Sequence, residues 1–267
     1  VSVAQSAKRL LAPAAKTVAP HWFWKRKFKI LQRLGESRPD VALVRSLCDP
    51  NRVSLDIGAD VGEFAIAMLA SSRSVIAFEP RPAQARDLAS MFTAAGAAVR
   101  IEAVALSDTP GVTAMRVVES DPGRSTIDQH NELDTAVGGA VGSIDVPVKR
   151  LDDLRLTDVG LVKIDVEGHE LAVLRGAVDT LRRNQPTIVV EAEERHHANA
   201  VADITALLTG LGYRGYFTLD DQRRPIEEFD AGTHQNPANI GGAEDDWAPR
   251  GVYVNNFVFE PAHSPRT

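Results

Sequence analysis

Leu55-Asp56-Ile57-Gly58-Ala59-Asp60-Val61-Gly62-Glu63-Phe64 joins a short apolar run to a helical pattern, and the architecture reads outward from it. Residues 53–56 have strand character, and the apolar spacing over 61–71 is that of a helix. Gly58 at the junction permits a tight turn and close approach of backbone to a ligand, while Gly62 allows close packing of helix on strand. The alternation continues downstream, with strands over 75–79, 99–103, 161–165 and 187–191 and helices over 82–95, 170–181 and about 198–209. Leu171, Leu174, Val178 and Leu181 share one helical face that must bury against a sheet. Such alternation predicts a doubly wound, mostly parallel α/β sheet. Two closing strands, 213–219 and 251–259, have no helix between them and are expected to run antiparallel to each other. Residues 119–145 and 230–250 are rich in Gly, Asp, Asn, Pro and Thr, so they read as long loops of the kind that cover pockets.

Composition narrows the function. A chain of 267 residues with 44% hydrophobic content suffices for one α/β domain with a small appendage. The division expected is a helical extension over 1–50 and the sheet domain over 51–262. Net charge is -6, which disfavours nucleic acid as the main partner. Cys48 is the only cysteine and has no partner for an internal disulfide, and no apolar run approaches the roughly 20 residues that span a bilayer. A cytoplasmic protein is expected. The charge is nevertheless uneven, because residues 1–33 hold eight Lys or Arg and no acid, giving a head of +8 on a body of -14. Within it His21-Trp22-Phe23-Trp24-Lys25-Arg26-Lys27-Phe28-Lys29 interleaves aromatics with cations. That composition suits peripheral contact with the inner face of a membrane, but the preferred reading has the aromatics packed on their own domain and the lysines in water. Oligomeric state is not readable.

The glycine turn carries the chemistry. Its spacing is Gly-x-x-x-Gly rather than the Gly-x-Gly-x-x-Gly of dinucleotide sites, and Asp56 stands at the strand end where a pyrophosphate would be repelled. S-adenosylmethionine has a sulfonium and an amino group and no phosphate, so Asp56 and Asp60 would welcome it. Glu79 ends the next strand, where an acid can accept both hydroxyls of a ribose, and Pro80 stops that strand. A nicotinamide-dependent oxidoreductase and a non-catalytic protein with a degenerate pocket are the alternatives.

These residues, with Phe78-Glu79-Pro80, Ala105-Leu106-Ser107-Asp108, the run Val162 to Glu170 and Asn256-Phe257, resemble the FkbM family of S-adenosylmethionine-dependent O-methyltransferases. The resemblance covers about residues 50 to 260. It implies the class I methyltransferase (Rossmann-like) fold, a seven-stranded sheet with its last strand antiparallel. It places the cofactor against Asp56, Gly58, Ala59, Asp60, Val61, Gly62, Phe64, Glu79 and Pro80, with the segment from Glu102 through Ala103 and Val104 beside the adenine. Where the family usually carries Asn, this chain has Asp60. The acceptor implied is a hydroxyl of a sugar, glycolipid or polyketide-type natural product.

Strand parity sends Lys163 and Asp165 to one side at the carboxyl end of their strand, with Glu191 ending its neighbour. His169 follows in the turn. His169, Asp165 or Glu191 can take the proton of an acceptor hydroxyl, and Lys163 can pair with a carboxylate. A magnesium site built from Asp165, Glu191, Glu193, His196 and His197 is conceivable, but no metal is the favoured reading, since strand-end carboxylates equally accept sugar hydroxyls. His130, His234 and Trp247 are the loop residues with chemistry to offer an acceptor.

Overall fold

The computed structural model describes residues 13–118, 122–129, 131, 133, 140–241 and 249–263; His130 and Trp247 lie outside them. Among the described residues three helices precede the sheet: α1 (Pro13–Val18), α2 (Pro20–Gly35) and α3 (Pro39–Ser46). Then follow β1 (Val53–Ile57), α4 (Glu63–Leu69), β2 (Ser74–Phe78), α5 (Pro82–Ala95) and β3 (Val99–Glu102). A second group comprises β4 (Ala105–Leu106), β5 (Gly111–Val118) and β6 (Val141–Lys149). The parallel pattern resumes with β7 (Val159–Ile164), α6 (Glu170–Arg175), α7 (Val178–Asn184), β8 (Thr187–Glu191) and α8 (Ala200–Gly210). The chain closes through β9 (Tyr213–Leu219), β10 (Gln222–Pro225), α9 (Ala231–His234) and β11 (Asn256–Pro261).

The main sheet has the order β10-β9-β11-β8-β7-β1-β2-β3. Strands β1, β2, β3, β7 and β8 are parallel, and β11 runs antiparallel between β8 and β9. The sheet therefore has eight strands rather than seven, because the turn at Asp220 and Asp221 folds residues 222–225 back on β9 as an edge strand. Every residue of β7 is buried, as a central parallel strand covered on both faces requires. One face packs Leu55, Ile57, Val162 and Ile164 against α6, α7 and α8; the other packs Val75, Ala77 and Leu161 against α4 and α5.

Two sequence expectations are corrected. Residues 111–118 and 141–149 pair as a hairpin, with β4 beside β6, so the span 119–145 is only partly irregular. Met115, Val146 and Val148 bury a small core of their own, an alternation at period two that is present in the sequence. The helix expected over 170–181 is two helices. A Cβ on Gly176 would stand 2.0 Å from the carbonyl oxygen of Ser107, so β4's exit approaches the backbone there and the helix is interrupted.

The described part of the basic head, α1 and α2, packs on the domain. Phe23, Trp24 and Leu31 of α2 are buried, Phe28 meets Phe92 edge-on at 6.1 Å, and Lys16 pairs with Asp87 of α5 at 2.8 Å. Among the described residues no helix is long and apolar enough to cross a membrane.

Candidate functional site

At the carboxyl ends of β1, β2 and β7 a cleft of about 530 Å³ opens, the place where parallel α/β sheets bind ligands. Gly58 and Asp60 form its floor, Glu79 to Arg81 one side, and Val104 to Leu106 the next. Met115 of the smaller sheet, with Pro122, Gly123, Ser125, Thr126 and Ile127 beyond β5, supplies the outer wall. Gly58 has φ +86°, and a Cβ there would lie 1.8 Å from the carbonyl oxygen of Asp165, so the turn exists only because the side chain is a hydrogen. Gly62, at φ +88°, brings α4 against Leu88, Met91 and Phe92 of α5, so its close packing is on a helix rather than the strand.

Glu79 is 2% exposed and its carboxylate is fully subscribed. Oε2 accepts the backbone N–H of Asp60 at 3.0 Å, and Oε1 accepts the backbone N–H of Arg81 at 2.9 Å. The Arg81 guanidinium then spans both oxygens, with Nε at 2.8 Å and Nη2 at 3.0 Å. It also donates to Asp60 Oδ1 at 2.6 Å and to the carbonyl of Pro122. Burial alone would lower the Arg81 pKa, but Glu79 and Asp60 outweigh it and raise it. One cation thus ties the glycine turn, the end of β2 and the outer wall together.

On the opposite face of β1, Asp56 is cross-strand partner to Lys163. Both are buried, and neither oxygen of Asp56 has an aligned hydrogen-bond partner. Desolvation holds its pKa up at about 6 despite Lys163. Lys163 Nζ donates to Asp165 Oδ2 at 2.6 Å and lies 4.1 Å from the centre of the Phe64 ring. Burial pulls its pKa down, but Asp165, Glu191 and Asp56 prevail, raising it. Glu191 accepts from Asn255 Nδ2 at 2.7 Å; burial and then the charge of Asp165 push its pKa well up. Arg38, delivered by the α2–α3 turn, pairs with Glu63 at 2.7 Å beside the same ring.

His169 belongs to a different constellation. Its Nε2 is 2.9 Å from Ser107 Oγ and its Nδ1 is 3.8 Å from Asp128 Oδ2. Burial lowers its pKa, partly opposed by Asp128, so the ring is neutral at physiological pH. These partners stand on the side of Val104 to Leu106, whereas Asp165 turns toward Lys163.

Behind the cleft, Glu167 has φ +52°, and its carbonyl accepts Thr126 Oγ1 at 2.8 Å and Asn131 Nδ2 at 2.6 Å. His196 Nε2 approaches Glu167 Oε2 at 3.1 Å, out of line for a hydrogen bond, so the contact is an ion pair. Glu193 faces the same ring at 3.7 Å, binds Arg195 through both oxygens and accepts Tyr253 OH. Burial opposes charging of His196, but Glu167 and Glu193 prevail and its pKa rises from 6.5 to about 9. A raised histidine pKa stabilises the fold fully below the unfolded value and loses that contribution as pH passes the folded one. Thermal stability should therefore fall between pH 6.5 and 9, by on the order of 2–3 kcal/mol. Melting curves across that range should flatten in His196→Gln; an unchanged slope would assign it to another group.

Of the residues singled out by sequence, Gly58, Asp60, Glu79, Pro80, Val104, Asp165 and His169 line the cleft. Asp56, Ala59, Val61, Gly62, Phe64, Glu102, Ala103, Lys163 and Glu191 do not. Asp56 points to the Lys163 side by strand parity, and Glu102 pairs with Arg100 at 3.0 Å. His196 is buried between two carboxylates, while His234 packs against Phe217 and Phe229. Among the described residues no group of three or more His, Cys, Asp or Glu is arranged to hold a metal ion. Arg81, Ser107, Thr126 and Asp128 were not singled out. Arg81 alone had a local signal, a cation two residues beyond a strand-terminal acid.

Similarity to known proteins agrees with this geometry. The Methyltransferase FkbM domain matches residues 56–214, from Asp56 through the start of β9. Methyltransferase sdnD of Sordaria araneosa is 30% identical over 196 residues, 61% of this chain and 74% of that protein. The crystal structure of a methyltransferase FkbM from Methylobacillus flagellatus KT superposes with a TM-score of 0.50 at 14% identity. The match covers 96% of this chain, which spans 58% of that protein's length, and at such identity it speaks for the fold alone. With a sheet-end cleft built on the glycine turn and the domain match extending over more than half its length, the chain belongs to the FkbM methyltransferase family.

Proposed function

We propose that the chain transfers the methyl group of S-adenosylmethionine to a hydroxyl of a sugar, glycolipid or polyketide-type natural product. The observation that carries this reading is the charge of the cleft: Asp60, Glu79, Asp165 and Glu167 line it, against Arg81 as the one Lys or Arg among the described lining residues. Such a lining complements a cationic, phosphate-free nucleoside and repels a pyrophosphate, which disfavours a nicotinamide dinucleotide. Asp60 and the Gly58 turn would hold the amino-acid end of the cofactor, Glu79 its ribose, and Val104 to Leu106 its base. When bound, the cofactor supplies an electrophilic methyl on a positively charged sulfur.

The remaining work falls to side chains of this protein. The acceptor oxygen must be held in line behind the methyl carbon, and positioning supplies much of the rate. Asp165, oriented by Lys163, is placed to receive the hydroxyl proton. Burial and the neighbouring charge of Asp165 favour the protonated form of Glu191, which suits it less to the role of base than Asp165. His169, held by Ser107 and Asp128, supports the cleft wall. Carboxylates at strand ends are apt acceptors for sugar hydroxyls.

Because all four in-plane lone pairs of Glu79 are engaged, ribose hydroxyls must displace Arg81 before they can donate there. Calorimetry with S-adenosylhomocysteine tests both points. The wild-type chain should bind it, and Arg81→Ala should bind it roughly three- to tenfold more tightly, while Glu79→Ala should bind it at least tenfold more weakly. Failure of folded wild-type protein to bind refutes the cofactor assignment; weaker binding by Arg81→Ala refutes displacement alone.

A further inference from the structure

The N-terminal helix folds onto the domain and still leaves a charged face uncovered. Phe23, Trp24 and Leu31 anchor one side of α2 in the core, which fixes the helix flat along the surface. The other side presents Trp22, Lys25, Arg26, Lys29 and Arg33, all exposed, at the three- and four-residue spacing of one helical face. Trp22 is 53% exposed and Val18, just before α2, is 84% exposed; with Val112 these are the three largest exposures of large apolar side chains among the described residues. Arg26 lies over the Trp22 ring at 5.4 Å, so the aromatic and the cations form one patch.

We propose that this face docks on an anionic phospholipid surface. Its residue types divide the labour there: an indole seats at the headgroup level, and Lys and Arg stems lie over apolar surface while their heads meet lipid phosphates. Its shape fits as well. Sixteen residues make a straight ridge about 24 Å long, embedded by its inner side, which suits a planar partner rather than the groove of a duplex. Charge sets the orientation. Residues 1–33 carry +8 and the rest of the chain -14, so an anionic surface attracts this end and repels the body, within a Debye length of about 8 Å at physiological salt. Just past α2 stands Arg38, which pairs with Glu63 and lies over the Phe64 ring, so the docked helix adjoins the wall that supports Lys163. This inference is independent of the cofactor reading.

Flotation of the full chain with vesicles tests it, comparing phosphatidylcholine alone with phosphatidylcholine containing phosphatidylglycerol. Binding is expected only to the anionic vesicles and should weaken at high salt. The triple variant Lys25→Glu, Arg26→Glu, Lys29→Glu should lose on the order of a hundredfold in partitioning, since each basic residue near the surface contributes about equally. The residues are exposed, so circular dichroism should show the variant folded. A blue shift of tryptophan emission on vesicle binding should disappear in Trp22→Ser. Absence of binding to anionic vesicles, equal binding to neutral ones, unchanged binding by the triple variant, or preferential capture of RNA or DNA would each overturn the proposal.

Discussion

Gly58→Ala should be the most damaging single methyl group that can be added to this protein. Two costs combine at that position. The backbone has φ +86°, a region that charges any L-residue about 1 kcal/mol, and the new carbon would stand 1.8 Å from the carbonyl oxygen of Asp165. That oxygen belongs to backbone and has no rotamer into which it can retreat. Gly96 separates the two costs, since it has φ +66° at the end of α5 and nothing within 4 Å of a Cβ. Urea denaturation should show Gly96→Ala losing about 1 kcal/mol and Gly58→Ala losing on the order of 4 kcal/mol or more, or failing to accumulate as soluble protein. Equal losses at the two positions would mean that β1 and β7 can separate at their ends more easily than their packing indicates.

Asp165→Asn should have the largest effect on turnover. The amide retains size and one hydrogen-bond acceptor for Lys163 but cannot take a proton from an acceptor hydroxyl, so methyl transfer should fall roughly 10²- to 10⁴-fold. Affinity for S-adenosylhomocysteine should change little. His169→Gln keeps a polar partner for Ser107 and should lose less than about tenfold, because the ring is held on the other wall. Labelled-methyl transfer into a lysate of the source organism supplies the assay and, through the labelled product, the acceptor. A reversal of the two variants, with His169→Gln crippled and Asp165→Asn active, would transfer the proton to the imidazole.

Much of this arrangement was legible in the sequence. The strand-turn-helix at Leu55 to Phe64, the parallel run on either side and the grouping of Asp165 with Lys163 follow from periodicity and strand parity, which are local properties. Parity also turns Asp56 to the face of its cross-strand partner Lys163 while Ile57 faces the cleft, which the expectation of Asp56 against the cofactor did not take into account. What was not legible depends on contacts distant in sequence. Arg81 reaches Pro122, His169 reaches Ser107 and Asp128, and His196 reaches Glu167, with separations that no local pattern encodes. The smaller sheet was hidden for another reason. Turn-forming residues on both sides of β6 outweighed the alternation of Val146 and Val148, although that alternation is what buries the strand.

The position of β11 has a consequence for biosynthesis. It leaves the ribosome after every other strand of this sheet, yet it sits inside the sheet, with β8 on one side and β9 on the other. Until it emerges, β8 presents an open hydrogen-bonding edge and β9 has only the short β10 beside it. The half of the protein that forms the cleft, β1, β2, β3 and β7, can meanwhile assemble on the nascent chain. This sheet is thus completed by insertion of β11 between two waiting strands, and the interval before that insertion is when the sheet is most open to mispairing with its neighbours.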